Sequence, residues 1–383
     1  MAIDVVPTVL YSGMMGVAVL ALVQATSRPK TKQTKYLSGL LLLLFIHILG
    51  ELYIYSGLYR FAPALAGFQF PIRMLLGPAL YFYAYAAMSP ENELSFKSHL
   101  IALLGPLVVI LAMLPFIFGM TAEQKLALAD PITRDPDLWQ IALFTCFFSA
   151  IAFVLFTFTY LIATLRLHSR HRKQLMDKYS AIEQRSMDWF RVVLILWGIA
   201  WAVYAANYTS GFMGIRWFGV HSILPVVELL ILLSFTHLAL NQSELGEPEK
   251  GKVGDTQARA AVILPEKMQK IASKLSTSMA ENELFRDEEL SLNSLASSIS
   301  VSENHISETL SQFLNTNFFQ FVNSYRVEEA KQLLVNTDML VLTIAETVGF
   351  KSKSTFNTAF KNTTSVTPTT FRKQKKMHFS ENN

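Results

Sequence analysis

Apolar positions along this chain fall into two regimes that change near residue 241. Before it, long apolar runs recur at 5–26, 36–58, 70–88, 99–120, 139–165, 192–212 and 221–241. Each is close to the twenty or so residues that carry a helix across a bilayer core. After it comes "NQSELGEPEKGKVGDTQARA", with three glycines, a proline and no helical period, which predicts a flexible linker over 242–262. Apolar residues then return at helical spacing: Phe318, Val322, Tyr325, Ala330, Leu333 and Leu334 predict a helix ending near Asn336. No alternating pattern predicts strands in this part. The expected fold class is all-α: a seven-transmembrane-helix bundle over 1–241, a helical domain over 263–376 and a short tail, 377–383.

Within the second regime two stretches echo each other 49 residues apart, "LASSISVSENHISETL" (295–310) and "IAETVGFKSKSTFNTAF" (344–360). Both open on an apolar residue and an alanine, place an apolar and then a small residue three and four positions on, and continue into a polar run. Ile306 with Leu310, and Phe356 with Phe360, then supply an i, i+4 pair on a new helix. This spacing predicts helix, tight turn, helix, twice over. Ala296 and Ala345 let the helices touch, and Gly349 gives the turn its backbone freedom. Ser302 and Ser352 are expected N-caps, and Thr367-Pro368 is expected to start a last helix.

Composition sharpens the division. The chain is 51% apolar and 16% charged, with positive mean hydropathy, outside the usual range of soluble globular proteins. Up to Asn241 there are 17 Lys/Arg and 12 Asp/Glu, against 16 and 17 in the last 142 residues, so charge density roughly doubles there. The single cysteine, Cys146, lies inside an apolar run, which excludes an intrachain disulfide or a multi-thiolate metal site. The first run is followed by Arg28, Lys30, Lys32 and Lys35 and preceded by Asp4, the reverse of a secretory signal. Loops 27–35, 89–98 and 166–191 hold 12 Lys/Arg, and the alternate set holds 4. This bias places the N-terminus outside and the C-terminal domain in the cytoplasm of a multi-pass inner-membrane protein. Trp139 and Trp217 at outer ends and Trp189 at an inner end suit the lipid interface.

A polar second helix rich in Ser, Thr, Asn and Lys suits the DNA major groove, where short side chains reach base edges and lysines meet phosphates. The nineteen or so residues between the pairs span about 28 Å as a helix, near the ~34 Å after which the groove returns to the same face. "FLNTNFFQFVNSYRVEEAKQLL" (313–334) resembles the linker helix of the arabinose-regulator (AraC/XylS) family of bacterial transcription activators. "IAETVGFKSKSTFNTAFKNTTSVTPTTFRK" is similar to that family's second helix-turn-helix, with Val-Gly-Phe, Phe-xxx-Phe-Lys and Thr-Pro-xx-Phe-Arg in order. The resemblance covers about residues 265–376. It implies an all-helical domain with two recognition helices on double-stranded promoter DNA, and recruitment of RNA polymerase. Ser365 departs from the family's usual glycine, so the turn there must avoid positive φ or tolerate strain.

The candidate DNA-contacting residues are Ser302, Glu303, Asn304, His305, Ser307 and Glu308 in the first unit, and Lys351, Ser352, Lys353, Ser354, Thr355, Asn357, Lys361, Arg372 and Lys373 in the second. Between Glu281 and Glu308 lie seven acids and only Arg286 opposes them, whereas Thr347 to Ser380 carries seven Lys/Arg and no acid. The second unit is therefore expected to anchor on phosphates and the first to select sequence. Glu303 or Glu308 accepts from a cytosine amine or stays solvated on the helix surface.

Family members usually carry a soluble ligand-binding module ahead of this domain, and here the spans stand in its place. Counted from the outer span ends, Arg73 is three residues deep, Asn207 five, and Glu51 and Glu228 seven, with His47 one turn below Glu51. Two readings stand. These side chains line an outward-opening pocket for a small polar or amphipathic signal, or they form an internal polar network that holds the spans together. Loop 166–191 is basic and is expected to set topology and touch headgroups, or else to dock on the acidic stretch near Glu288. A flexible linker transmits torque poorly, so signalling is expected through homodimerisation or release of a docked domain. No P-loop, His-Glu-xx-His or Gly-x-Ser-x-Gly pattern is present, so neither enzyme activity nor a cofactor or metal is expected. The alternative function is a transporter or membrane scaffold whose cytoplasmic helices bind a protein.

Overall fold

The structure, a computed structural model, describes residues 3–89, 94–130, 132–182, 185–212, 220–242 and 264–381, and their side chains apart from 207–212, 220–222 and 376–381. The expected linker, save residue 242, lies outside these, as do Trp217 and the side chain of Asn207. The described chain forms sixteen α-helices, and its contacts divide it into two units: residues 1–169 with 188–246, and residues 170–187 with 247–383.

The N-terminal unit contains α1 (Val5–Thr26), α2 (Lys32–Tyr55), α3 (Gln69–Arg73), α4 (Leu76–Met88), α5 (Phe96–Ile117), α6 (Ala122–Ala127), most of α7 (Pro136–Lys178), α8 (Asp188–Phe212) and α9 (Val220–Asn241). Starts are set by local chemistry. Thr31 closes a reciprocal capping box with Thr34, and the Ser95 hydroxyl accepts from the Ser98 N–H. Met14, Ala18, Ala21 and Ala25 form the buried stripe of α1, and the packing of small residues lets α2 and α9 approach closely. On α5 the outward Leu100, Leu103, Leu104, Leu107 and Leu111 are each at least half exposed, the surface expected of a lipid-facing helix. Among the described residues six helices, α1, α2, α5, α7, α8 and α9, are long and apolar enough to cross a membrane. The expected third span is not one helix: the chain turns between Arg73 and Leu76, leaving five- and thirteen-residue pieces.

The C-terminal unit contains α10 (Pro265–Ala280), α11 (Leu292–Ile299), α12 (Glu303–Glu308, continued by a π turn over Thr309–Phe313), α13 (Phe318–Asn336), α14 (Val341–Thr347), α15 (Lys353–Thr364) and α16 (Pro368–Glu381). α16 runs into the residues expected as a tail. Two apolar cores share α13. Phe318, Phe321 and Val322 join Leu275, Leu295, Ile306 and Leu310 in the first, while Val327, Ala330 and Leu334 join Ile344, Val348, Phe356 and Phe360 in the second. Burial of these large side chains, each worth about 1.5–3 kcal/mol, makes α13 the common spine.

The α11–α12 and α14–α15 turns are built alike. Val301 N–H donates to Ala296 O (3.1 Å) and Phe350 N–H to Ala345 O (2.9 Å), the six-residue closure of a Schellman turn. The left-handed position is Ser300 in one (φ 53°) and Gly349 in the other (φ 92°). Glycine is required at the second: a Cβ on Gly349 would lie 2.7 Å from the carbonyl oxygens of both Phe285 and Arg286. Ser302 and Ser352 cap the following helices as expected, accepting from the N–H groups of His305 and Thr355. Ser365 adopts φ 64°, so the turn before α16 accepts strain rather than avoiding it.

Residues 170–187, expected as a loop of the membrane part, group with the C-terminal unit. α7 continues to Lys178, and Tyr179 then pairs antiparallel with Ser291. The Ser180 N–H and hydroxyl both donate to Leu290 O, at 3.2 and 2.6 Å. The contact thus falls beside Glu288 and includes backbone groups and the Ser180 hydroxyl.

Candidate nucleic-acid interface and buried polar cluster

α12 and α15 each bury one face and leave the other polar. On α12, Ile306 is buried while Asn304 is exposed and His305, Ser307 and Glu308 are half-buried. Ser302 is committed to its capping bond, and Glu303 accepts from the Asn293 side-chain amide at 2.8 Å. On α15, Phe356 and Phe360 are buried and in edge or tilted contact with Phe350 and Phe371. Lys353, Ser354 and Lys361 are exposed, and Thr355 and Asn357 half-buried. α12 therefore presents an amide, an imidazole, a hydroxyl and two carboxylates, and α15 hydroxyls, an amide and ammonium groups, side chains that reach base edges and, on α15, phosphates.

Besides Ser302 and Glu303, three further candidates carry structural duties. Lys351 pairs with Glu289, so a phosphate would compete with a carboxylate for it. Arg372 was expected at the phosphates, but its guanidinium donates to Leu334 O (3.2 Å) and Met339 O (2.7 Å). There it satisfies a carbonyl in the last turn of α13, which needs a donor, and one in the connection to α14. Ser352 is held as an N-cap. Lys373 is exposed on α16.

Pattern reading missed Arg326, among the most deeply buried side chains of the C-terminal unit at 1% exposure. Its Nε donates to Phe285 O (2.7 Å), and its Nη2 to Asp287 O (2.8 Å) and to the Ser180 hydroxyl (3.2 Å). The guanidinium carbon lies 5.4 Å from the centre of the Phe350 ring. A charge buried so deeply is tolerated only when its donors are used. Its sequence signal was a polar residue on the apolar stripe of α13, between Val322 and Ala330.

In the N-terminal unit, four of the five signal-site candidates meet. His47, Glu51, Arg73 and Glu228 line one cavity with Tyr11, Tyr55, Phe153, Trp201 and Tyr204 among others. Arg73 forms an ion pair with Glu51 and donates from Nη1 to the Tyr204 hydroxyl at 2.8 Å. The Tyr11 hydroxyl donates to Glu228 Oε2 at 2.9 Å, and its ring stacks on Tyr55. The free volume is about 20 Å³, room for about one water. Tyr11, six residues into the first apolar run, falls at the level of the acids by the same count along the sequence and was legible there. Among the described residues no cluster of His, Cys, Asp or Glu is arranged to hold a metal.

Residues 295–374 match a helix-turn-helix domain. The matched stretch runs from α11 into α16 and so takes in both helix pairs. Over 90 residues, 24% of this chain, the sequence is 38% identical to an uncharacterized HTH-type transcriptional regulator from Staphylococcus aureus, of which the match covers 12%. It is 33% identical, with the same coverage of both chains, to an uncharacterized HTH-type transcriptional regulator, YtdP, from Bacillus subtilis. The chain thus spans about an eighth of the length of these relatives. Among solved structures it is similar to the C-terminal domain of AraT, a response regulator from Geobacillus stearothermophilus, at 28% identity, with a TM-score of 0.25, covering 28% of this chain and 84% of that one.

Proposed function

We propose that the chain is a membrane-bound one-component transcription regulator: α10–α16 bind promoter DNA through two helix-turn-helix units, and the apolar helices place a sensor in the bacterial inner membrane. One observation carries the reading: two helix pairs with the same six-residue turn, mounted on one shared spine, each turning a polar second helix outward. The match of residues 295–374 to a helix-turn-helix domain supports it. α12 and α15 enter successive major-groove segments, with Asn304, His305 and Ser307 reading bases and Lys353, Lys361 and Lys373 meeting phosphates.

Binding of the full chain in nanodiscs to duplexes selected from a random pool tests it. Log affinity should fall linearly with log salt, with a slope set by the phosphates neutralised. Binding that is insensitive to salt, or no binding, removes the reading and leaves a protein-binding scaffold. Seven membrane crossings, with the broken α3–α4 segment counted as one, put the N-terminus outside and α10–α16 in the cytoplasm. Reporter fusions at Asn241 and the C-terminus that score as periplasmic would overturn that topology.

The cluster of Glu51, Arg73, Glu228, Tyr11 and His47 is the proposed signal site, for a small polar or amphipathic molecule that separates Arg73 from Glu51. The tightness of the cavity favours a second reading, a polar clamp that only holds the helices together. Glu228→Gln separates the two: normal expression with an altered reporter response supports the sensor, and a normal response supports the clamp.

A further inference from the structure

The reading above leaves open how α7 and α8 reach the DNA-binding helices, and the structure offers a route besides the linker. Residues 170–187, the last turns of α7 and the connection to α8, group with the C-terminal unit. The contact is made of backbone and one hydroxyl: Tyr179 pairs with Ser291, and the Ser180 N–H and hydroxyl both donate to Leu290 O. Ser180 is 1% exposed, and Ile182 is also buried. At the base of the segment His168 on α7 lies 3.5 Å from the Asp188 carboxylate at the start of α8. Arg185 lies over the Tyr179 ring and its carbonyl faces His171 Nε2, folding the segment back on itself.

What this segment touches is the seam between the two cores. Residues 284–291 run from the first core to the start of α11, and the Gly349 turn of the second core abuts the Phe285 and Arg286 carbonyls. Arg326, on α13 between the residues that serve each core, binds the carbonyls of Phe285 and Asp287, lies over Phe350, and takes Ser180 as a further partner. One buried guanidinium therefore touches residues 285–287, the Phe350 ring of the second core and the segment. We propose that residues 170–182 are the control surface of the DNA-binding unit: docked on residues 287–291 they fix the angle between the two helix-turn-helix units, and movement of α7 and α8 changes that angle. The partner of residues 287–291 is thus a segment of this same chain.

The inference rests on the regulator reading, and its test keeps the two apart. The full chain carrying Cys146→Ser, Tyr179→Cys and Ser291→Cys is placed in nanodiscs and oxidised with copper phenanthroline. Antiparallel partners stand about 4.5–5.5 Å apart at Cα, within disulfide reach. Both thiols should be lost to maleimide labelling, whereas each single-cysteine variant keeps its label. DNA binding is then measured on a duplex selected with the wild-type chain and on one truncated to a single groove segment. Ser180→Pro, which removes the N–H and the hydroxyl, should change affinity for the long duplex at least about tenfold and for the short one less than about twofold. The oxidised staple should keep wild-type affinity for the long duplex, which makes the result independent of how well the proline variant folds. Ten Gly/Ser residues inserted after Lys252 should change neither affinity. Thiols that stay free, equal effects of Ser180→Pro on both duplexes, or an insertion that mimics Ser180→Pro overturn this inference alone. A wild-type chain that binds no duplex overturns the regulator reading and this inference with it.

Discussion

Replacing Arg326 with alanine is the most direct test of how the C-terminal unit is held together. The substitution removes charged donors from Phe285 O, Asp287 O and the Ser180 hydroxyl at a position 1% exposed. Asp287 O keeps the Leu290 N–H at 3.2 Å, so the Phe285 carbonyl is the acceptor that loses most. A buried carbonyl left without its donor costs about 1–3 kcal/mol, and each bond to a charged group contributes about 1.5–3 kcal/mol. The void and the lost contact with Phe350 add to this, while the relief of a buried charge offsets part. The expected net loss is about 3–4 kcal/mol, a large share of the ~5–15 kcal/mol that holds a domain together. Pulse proteolysis of the full chain in nanodiscs across a urea series, following cleavage within α10–α16, measures it. With a slope of about 2 kcal/mol per molar urea, the midpoint should fall by about 1.5–2 M. Arg326→Lys should fall between, since an ammonium keeps the charge but not the planar fork. A shift below about 0.5 M for the alanine variant would refute the view that this guanidinium joins the two cores.

Gly349→Ala combines a left-handed φ with a Cβ 2.7 Å from two carbonyl oxygens, and should cost more than about 2 kcal/mol by the same proteolysis assay. Ser365→Gly should stabilise by about 0.5–1 kcal/mol, because glycine adopts φ 64° without the Cβ penalty. Lys353→Ala should weaken all duplexes alike and lower the salt slope by about 1, while Asn304→Ala should relax sequence preference at one position in a selection experiment. Burial pushes the Asp177 carboxyl above its ordinary value, with Lys173 opposing. A raised carboxyl favours the folded state only while protonated, so wild-type stability falls as pH rises through the ordinary aspartate range and the folded value above it. Asp177→Asn should therefore be the more stable chain at neutral pH, with the difference closing below about pH 4, the ordinary aspartate value.

The parts of the C-terminal unit legible in the sequence were those decided locally. Ile306 and Leu310, Phe356 and Phe360, the caps Ser302 and Ser352, and the Gly349 turn all follow from spacing within a dozen residues, and all stand where the pattern put them. Contacts made across long separations left no such trace. Ser180 and Leu290 are 110 residues apart: the basic charge of loop 166–191 raised docking near Glu288 as one alternative, but nothing around Tyr179 marked the residues that make the contact. Arg372 looked like a phosphate ligand because cationic side chains near a C-terminus usually are solvated, whereas here two carbonyls claim it. The third span failed as a single helix because hydropathy counts apolar residues without seeing the turn that follows Arg73. Depth counting did bring Glu51, Arg73 and Glu228 to one place, since residues at one level of a bundle share neighbours.

The antiparallel pairing at Tyr179 and Ser291 also bears on the fate of a nicked chain. A protease cutting anywhere in 242–262 would sever the peptide link between α9 and α10. It would leave Ser180 bonded to Leu290 and Arg326, and Ser180 belongs to the polypeptide of α7 and α8. Release of a free, diffusing DNA-binding fragment would therefore need a second event that peels that segment away.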